Sequence, residues 1–129
     1  MDEDIAEYAM KMASTLKVKY ADVRLESQEK NEIILRNGIL GVVSHAINEG
    51  IGIRIITENG VGFSSSNVLD KKSAEKTVKE AFRQAEACQR KNPPELSDEK
   101  AAEATWSVPE RKKLADTGIE EKLDVLFQI

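Results

Sequence analysis

The stretch from residue 21 to residue 67 most constrains how this chain can fold, because apolar and polar residues alternate along it. Successive side chains of a β-strand point to opposite faces, so the alternation predicts a sheet with one covered face. Asn or Gly interrupts the pattern about every ten residues, and two interruptions are the pairs Asn37-Gly38 and Asn59-Gly60. Asn-Gly suits the positive φ angles of a type I′ hairpin turn. We therefore expect an antiparallel meander of about five strands.

The alternation also predicts which side chains face inward. In the first strand, Val23 should face inward while Arg24 and Glu26 face outward. In the fourth strand, the isoleucines share one face and Arg54 lies opposite. The turns between the strands are expected at residues 29–31, 37–38, 48–50 and 59–60.

Two stretches with helical periodicity flank the alternating region. Residues 4–16 and residues 71–90 each place their apolar side chains on one stripe. Asp70 stands where the N-cap of the second helix is expected. Two helices with one apolar stripe each, lying on a sheet with one apolar face, predict a two-layer α+β sandwich over residues 1–91.

The character of the sequence changes after the second helix. Proline cannot continue a helix, so Pro93 and Pro94 end it, and the charged, Ala-rich residues 92–115 predict a linker. Thr117 and Glu120 have the spacing of a capping box, which predicts a helix over residues 116–129. Because the sequence stops within that helix, we expect it to lead into a C-terminal domain that is missing here.

Composition narrows the class of protein. The net charge is −4, aromatic residues make up 5%, and no basic stripe interrupts the strands, which argues against nucleic-acid binding. The single cysteine excludes an internal disulfide and fits a reducing compartment. The acidic N-terminus is unlike a signal peptide, and no apolar run approaches membrane-spanning length. We therefore expect a cytoplasmic protein without membrane contact.

The residues alone predict no catalytic centre. His45 is the only histidine, so this chain cannot build a zinc motif with two histidines or a Ser-His-Asp triad. We expect His45 on an inward strand position as a packed residue rather than a ligand. We expect Cys88 to close the stripe of the second helix as a small core residue rather than a nucleophile. No catalytic or metal-binding residue is assigned, and the substrate-binding residues stay unknown.

Paired glycines and a run of serines could suggest a binding loop. Residues 50–52 and 60–62 read Gly-x-Gly, but neither a dinucleotide fingerprint nor a P-loop is present. We expect these glycines to serve bends or close backbone approaches, and residues 64–66 to form a polar exit from the sheet. An exposed edge strand could bind an extended peptide, although the sequence does not identify the edge.

These segments together resemble the N-terminal domain of the TldD/PmbA family, also called modulators of DNA gyrase. The opening segment resembles the TldD side more than the PmbA side, although nothing in it suggests contact with DNA. The resemblance extends over nearly the whole chain and rests on four segments in the family's order: Tyr20-Ala21-Asp22-Val23-Arg24, Arg36-Asn37-Gly38, Gly50-Ile51-Gly52-Ile53-Arg54 and Gly60-Val61-Gly62-Phe63-Ser64.

The resemblance implies a zinc metallopeptidase that acts on unfolded or extended peptides, as a homodimer or a TldD–PmbA-type heterodimer. It also implies that zinc binds an H-E-x-x-x-H helix in the C-terminal domain, and this sequence contains no such motif. No catalytic or metal residue is therefore carried over, and we expect the chain to be inactive alone. The implied role is substrate access and subunit contact. The alternatives are a PmbA-like inactive partner subunit or a stand-alone peptide-binding or dimerisation module.

Overall fold

A computed structural model describes residues 3–129, so the first two residues of the predicted domain lie outside the described residues. The described chain divides into two compact units, and its helices and strands follow in one order. Unit 1 contains residues up to 29 and residues 47–96, and unit 2 contains residues 30–46 and 97–129. The elements are α1 (Glu3–Ser14), β1 (Tyr20–Arg36), β2 (Ile39–Ile56), β3 (Val61–Ser66), α2 (Lys71–Ala87), a short 3-10 helix (Leu114–Asp116) and α3 (Ile119–Phe127).

The sheet has three strands in the order β1-β2-β3, so the expectation of about five strands is wrong for the part of the chain that the structure describes. The turns expected at residues 29–31 and 48–50 lie inside β1 and β2, which are 17 and 18 residues long. Both faces of an exposed two-stranded ribbon can carry polar side chains. A polar segment can therefore continue a strand instead of forming a turn. Polarity alone therefore did not identify a turn.

The two Asn-Gly pairs form different turns. Asn37 and Gly38 have φ angles of 53° and 73°, which confirms the expected tight hairpin turn between β1 and β2. Asn59 keeps a negative φ, so the second pair does not form a type I′ turn. There the Thr57 N–H donates to the Gly60 carbonyl at 2.9 Å, and the Asn59 N–H donates to the Thr57 hydroxyl at 3.2 Å.

The core of unit 1 confirms a mixed α+β fold. Both helices pack on the face of β2 that carries the predicted isoleucines, and these side chains are at most 1% exposed. Burial of such side chains is the main stabilising contribution of a core this size. The buried apolar residues of this cluster are Ile5, Ala9 and Ala13 of α1, Ile51, Ile53 and Ile55 of β2, and Ala74, Val78, Ala81 and Ala85 of α2.

The first turn of α2 confirms the predicted N-cap. The Asp70 carboxylate accepts the Ser73 N–H at 2.6 Å, and Asp70 itself is extended, with φ −131° and ψ 163°. This satisfies one of the backbone donors that a helix start leaves without a partner. The helix ends at Ala87, earlier than the predicted residue 90.

Close approach of β3 to α2 depends on Gly62. This residue pairs with Ile55 across the sheet and faces the helix. A Cβ atom at Gly62 would lie 1.9 Å from the Ala81 carbonyl oxygen, which is shorter than any ordinary contact. The expectation that these glycines serve close backbone approaches is confirmed at this position.

The C-terminal part of unit 2 departs from its predicted helix start. Residues 92–113 form neither helix nor strand, and α3 begins after Gly118 as its N-cap. The Thr117 hydroxyl donates to the Lys113 carbonyl at 3.1 Å instead of accepting a backbone N–H of α3, so the predicted capping box is wrong. The domain boundaries at residues 91 and 115 stay predictions. No helix among residues 3–129 is long and apolar enough to cross a membrane.

Candidate functional site

The sheet of unit 1 has a second face, opposite the helices. The isoleucines of β2 point to the helices. The residues that alternate with them along the strand therefore lie on the opposite face, and these are Gly50, Gly52 and Arg54. The register pairs Arg54 with Phe63 and Gly52 with Ser65, so these β3 residues share that face. This face is the candidate site.

A groove of about 710 Å³ lies on this face, and all of its lining residues belong to unit 1. We call it the outer groove. Three strands contribute to it, which makes it a feature of the folded sheet rather than of one loop. Its lining includes Asp22, Arg24, Glu26 and Gln28 of β1, residues 48–52 and Arg54 of β2, and Phe63 and Ser65 of β3 with Ser66 and Asn67.

Glycines form the floor of the outer groove. A Cβ atom at Gly52 would lie 3.3 Å from two ring atoms of Phe63, so the ring lies directly over this position. Phe63 is nevertheless 57% exposed, and its ring forms an apolar wall. A Cβ atom at Gly50 would lie 3.2 Å from the Ser66 carbonyl oxygen. Because glycine has no side chain, these two positions leave room for the Phe63 ring and open the groove beside it.

An ion pair lies at one end of the outer groove. Arg54 Nε donates to Asp22 Oδ2 at 2.6 Å, and the Arg54 guanidinium lies 5.8 Å from the centre of the Tyr20 ring. The hydrogen bond and the charge of Asp22 raise the pKa of Arg54. Both side chains are partly exposed, at 49% and 34%, so solvent screens the pair and its net stabilisation is at most about 1 kcal/mol.

Two charged groups of the outer groove are available to a ligand. Within residues 3–129, the exposed side chains of Arg24 and Glu26 have neither an ion pair nor a hydrogen bond. Glu49, in contrast, accepts the Ser27 hydroxyl at 3.1 Å. The groove therefore offers one free cation, one free anion and an aromatic surface to a bound molecule.

His45 does not occupy the place that the sequence predicts. It is exposed on β2 within unit 2, so the expectation of a packed histidine is wrong. Its Nδ1 atom lies 2.9 Å from Asn31 Oδ1. Alternation assigns His45 to one face of β2, but residues 39–49 of this strand are all exposed.

Cys88 is also exposed, so its expected place in the core is wrong. The helix ends at Ala87, one residue before the cysteine, and the last buried residue of its apolar stripe is Ala85. The Cys88 thiol donates to the Val61 carbonyl at 3.4 Å, which makes it a contact between the end of α2 and β3.

The serine run belongs to β3 rather than to a polar exit from the sheet. The Ser64 hydroxyl donates to Glu80 at 3.1 Å, and the hydroxyls of Ser66 and Ser73 lie 2.7 Å apart. Alternate serines therefore connect β3 to α2, while Ser65 faces the outer groove. These hydroxyls serve packing of the helix on the sheet.

The sequence model of the family described as "PmbA/TldA metallopeptidase domain 1" matches residues 21–85. That span is half of the chain and contains the sheet except for Tyr20, together with most of α2. The chain belongs to this family. The resemblance to the N-terminal domain of TldD/PmbA proteins is thereby confirmed. The chain is also 29% identical over 110 residues to metalloprotease MJ0996 from Methanocaldococcus jannaschii.

This alignment covers 84% of the present chain and 24% of that relative, so the chain spans about a quarter of the relative's length. The family description names a metallopeptidase, which is an enzyme that uses a bound metal. Among the described residues, no group of three or more His, Cys, Asp or Glu side chains could hold a metal ion. Zinc usually takes three or four such ligands, so the residues that the structure describes do not fit a zinc site.

Proposed function

We propose that this chain is the non-catalytic N-terminal domain of a TldD/PmbA-like zinc metallopeptidase that degrades or processes unfolded or extended peptides. Family membership over residues 21–85 is the observation that carries the proposal. The 110-residue alignment covers 24% of a relative described as a metalloprotease, which leaves most of that relative for catalytic residues. The single histidine of the present sequence supports a role other than metal binding.

The domain's part in peptide processing is substrate access through the outer groove. Arg24 and Glu26 are two residues apart on one strand, so their side chains stand about 7 Å apart on the same face. An extended peptide repeats its side chains on one face at the same spacing. Free charges of both signs and the exposed ring of Phe63 would contact such a peptide without selecting one sequence. We further propose a cytoplasmic location, in keeping with the single cysteine.

The catalytic part of the proposal is tested by comparing this chain with the longer protein. The purified 129-residue chain, mixed with zinc and an unstructured peptide, should release no fragments in a mass-spectrometric assay. The coding sequence beyond residue 129 should carry H-E-x-x-x-H, and the longer protein should cleave the same peptide. Zinc-dependent cleavage by the short chain, or absence of that motif, would refute the proposal. A degraded motif would identify a PmbA-like partner subunit instead.

The role of the outer groove is tested in the longer protein with Arg24→Ala and Glu26→Ala. Each should raise KM for an extended peptide about three- to tenfold, which corresponds to about 0.6–1.4 kcal/mol, with kcat unchanged. Arg83→Ala is the matched control, because Arg83 is an exposed cation on α2 outside the groove. If all three variants keep the parent KM, the groove does not guide substrate, although the family assignment still stands.

A further inference from the structure

The two Asn-Gly pairs of the chain differ in how far the structure protects them. Asn37 and Gly38 are exposed at the tip of the β1-β2 hairpin, within residues 30–46 of unit 2. Asn59 is half-buried and Gly60 is buried, and both belong to unit 1. The same dipeptide therefore occurs once in an open turn and once in a packed turn, so the two can be compared within one chain.

An asparagine followed by glycine has a specific reactivity. The backbone nitrogen of the glycine can attack the Cγ carbon of the asparagine side chain, which forms a new C–N bond while the bond from Cγ to Nδ2 breaks. The proton of the attacking N–H leaves with Nδ2 as ammonia, and a five-membered succinimide ring remains. Water then opens the ring at either carbonyl, which gives aspartate or isoaspartate. Glycine favours the attack because it has no side chain to obstruct it and its backbone is the most adaptable.

The turn at Asn37 leaves the reacting groups accessible. The Asn37 side chain forms no hydrogen bond within residues 3–129. A Cβ atom at Gly38 would meet no heavy atom within 4 Å, so the space beside this residue is open. The backbone must leave its type I′ angles before the nitrogen can reach Cγ. Residues 39–49 of β2 are all exposed, and a two-stranded hairpin without a packed face opens at little cost in free energy.

The packed turn at Asn59 hinders the same attack at three points. Asn59 Nδ2 donates to Glu86 Oε2 at 3.0 Å, so the amide that must leave is held by α2. The Asn59 N–H donates to the Thr57 hydroxyl at 3.2 Å, and the Asn59 carbonyl accepts the Arg90 N–H at 2.8 Å. These bonds fix the backbone on both sides of the Asn59 side chain. Reaction at this site therefore requires the turn to separate from α2.

We propose that Asn37 is a site of spontaneous deamidation, and that the product disrupts the turn on which the β1-β2 hairpin depends. Isoaspartate continues the chain through its side-chain carbons, which adds one methylene group to the backbone of a two-residue turn. A type I′ turn requires positive φ at both central residues and sets the register of the two strands, so the longer backbone does not preserve it. Both products also place a new negative charge beside Arg36.

The structural effect is confined to the hairpin. All described members of the buried cluster of unit 1 lie outside residues 30–46, so that core does not depend on the turn. After conversion, amide hydrogen exchange should become faster in residues 30–46, while the core of unit 1 keeps its protection. The inference depends on the turn alone and is independent of the proposed peptide-processing function.

Incubation of the 129-residue chain at mildly alkaline pH, followed by digestion and tandem mass spectrometry, tests the proposal. Asn37 should convert at least about tenfold faster than Asn59, which corresponds to a difference of about 1.4 kcal/mol in the free energy of opening. The chain unfolded in urea is the reference, in which the two sites should convert at similar rates because each is followed by glycine. If Asn37 in the folded chain converts no faster than Asn59, the proposal is overturned.

Two substitutions separate the causes. Glu86→Ala releases the Asn59 amide and should speed conversion at Asn59, while Asn37 keeps its rate. Asn37→Gly is the matched control for the hairpin, because Gly-Gly also forms a type I′ turn but has no side-chain amide to cyclise. Its hydrogen exchange in residues 30–46 should stay constant during the incubation in which the parent's exchange becomes faster. Equal changes in parent and variant, or unchanged exchange in the converted parent, overturn the proposed effect on the turn.

Discussion

Replacing Gly62 by alanine tests how closely β3 and α2 must approach. A Cβ atom at this position would lie 1.9 Å from the Ala81 carbonyl oxygen and 2.6 Å from the Ala85 nitrogen. An ordinary contact is about 3.5 Å, so strand and helix would have to separate by about 1.6 Å. Both neighbouring atoms belong to the helix backbone, and no side-chain rotation can relieve the clash.

That separation would lift Ala81 and Ala85, both 0% exposed, from the core of unit 1. Overpacking in a core usually costs about 1–3 kcal/mol, and a clash with rigid backbone lies at or above the upper end. We therefore expect Gly62→Ala to lower the free energy of unfolding by about 3 kcal/mol or more. For a unit of this size, the melting temperature would fall on the order of 12–24 °C.

Thermal unfolding followed by circular dichroism measures this effect in a graded series of glycine substitutions. Gly41→Ala should match the parent, because its Cβ would make only an ordinary 3.6 Å contact. Gly52→Ala should be intermediate, because the contact at 3.3 Å is with the end of the Phe63 side chain, which can move. The reasoning is refuted if Gly62→Ala melts within about 3 °C of Gly41→Ala, since about 3 kcal/mol would shift it far more.

Four further substitutions test the cap and the core. Asp70→Ala should lower the free energy of unfolding by about 1 kcal/mol in urea titrations, because the Ser73 N–H loses its acceptor, whereas Asp70→Ser should keep most of the stability. Ile53→Ala should cost about 2–5 kcal/mol, because Ile53 is 0% exposed. Ile39→Ala should cost about 0.5 kcal/mol or less because Ile39 is 71% exposed. Similar losses for the two isoleucines would contradict a core confined to one end of β2.

Local patterns predicted the parts of the fold that depend on neighbouring residues in the sequence. The cap at Asp70 and the hairpin turn at Asn37 follow from the chemistry of a few adjacent residues, and the structure confirms both. His45 and Cys88 were placed wrongly because their burial depends on whether another element covers them. Alternation assigns a residue to a face of a strand, but tertiary packing decides which stretch of that face is covered.

The residues of the outer groove also divide into those that local patterns predicted and those that depend on tertiary packing. Alternation predicted that Arg24, Glu26 and Arg54 face outward, and all three line the groove. The role of Gly52 was missed, because it depends on the register between β2 and β3 that brings the Phe63 ring over it. No short-range signal in the sequence specifies that register, since residues 52 and 63 belong to different strands. The groove could therefore be found only from the folded sheet.

Two side chains with displaced pKa values are held in their charged forms. The hydrogen bond with Asp22 raises the pKa of Arg54, and the hydrogen bond with Lys79 lowers the pKa of Glu75. Both changes strengthen the charged form and move the pKa away from neutral pH. A general acid or base needs a pKa near the pH at which it works. Arg54, at the end of the outer groove, is therefore suited to act as a permanent charge that holds the groove's shape, as the proposed peptide-binding role of the groove requires.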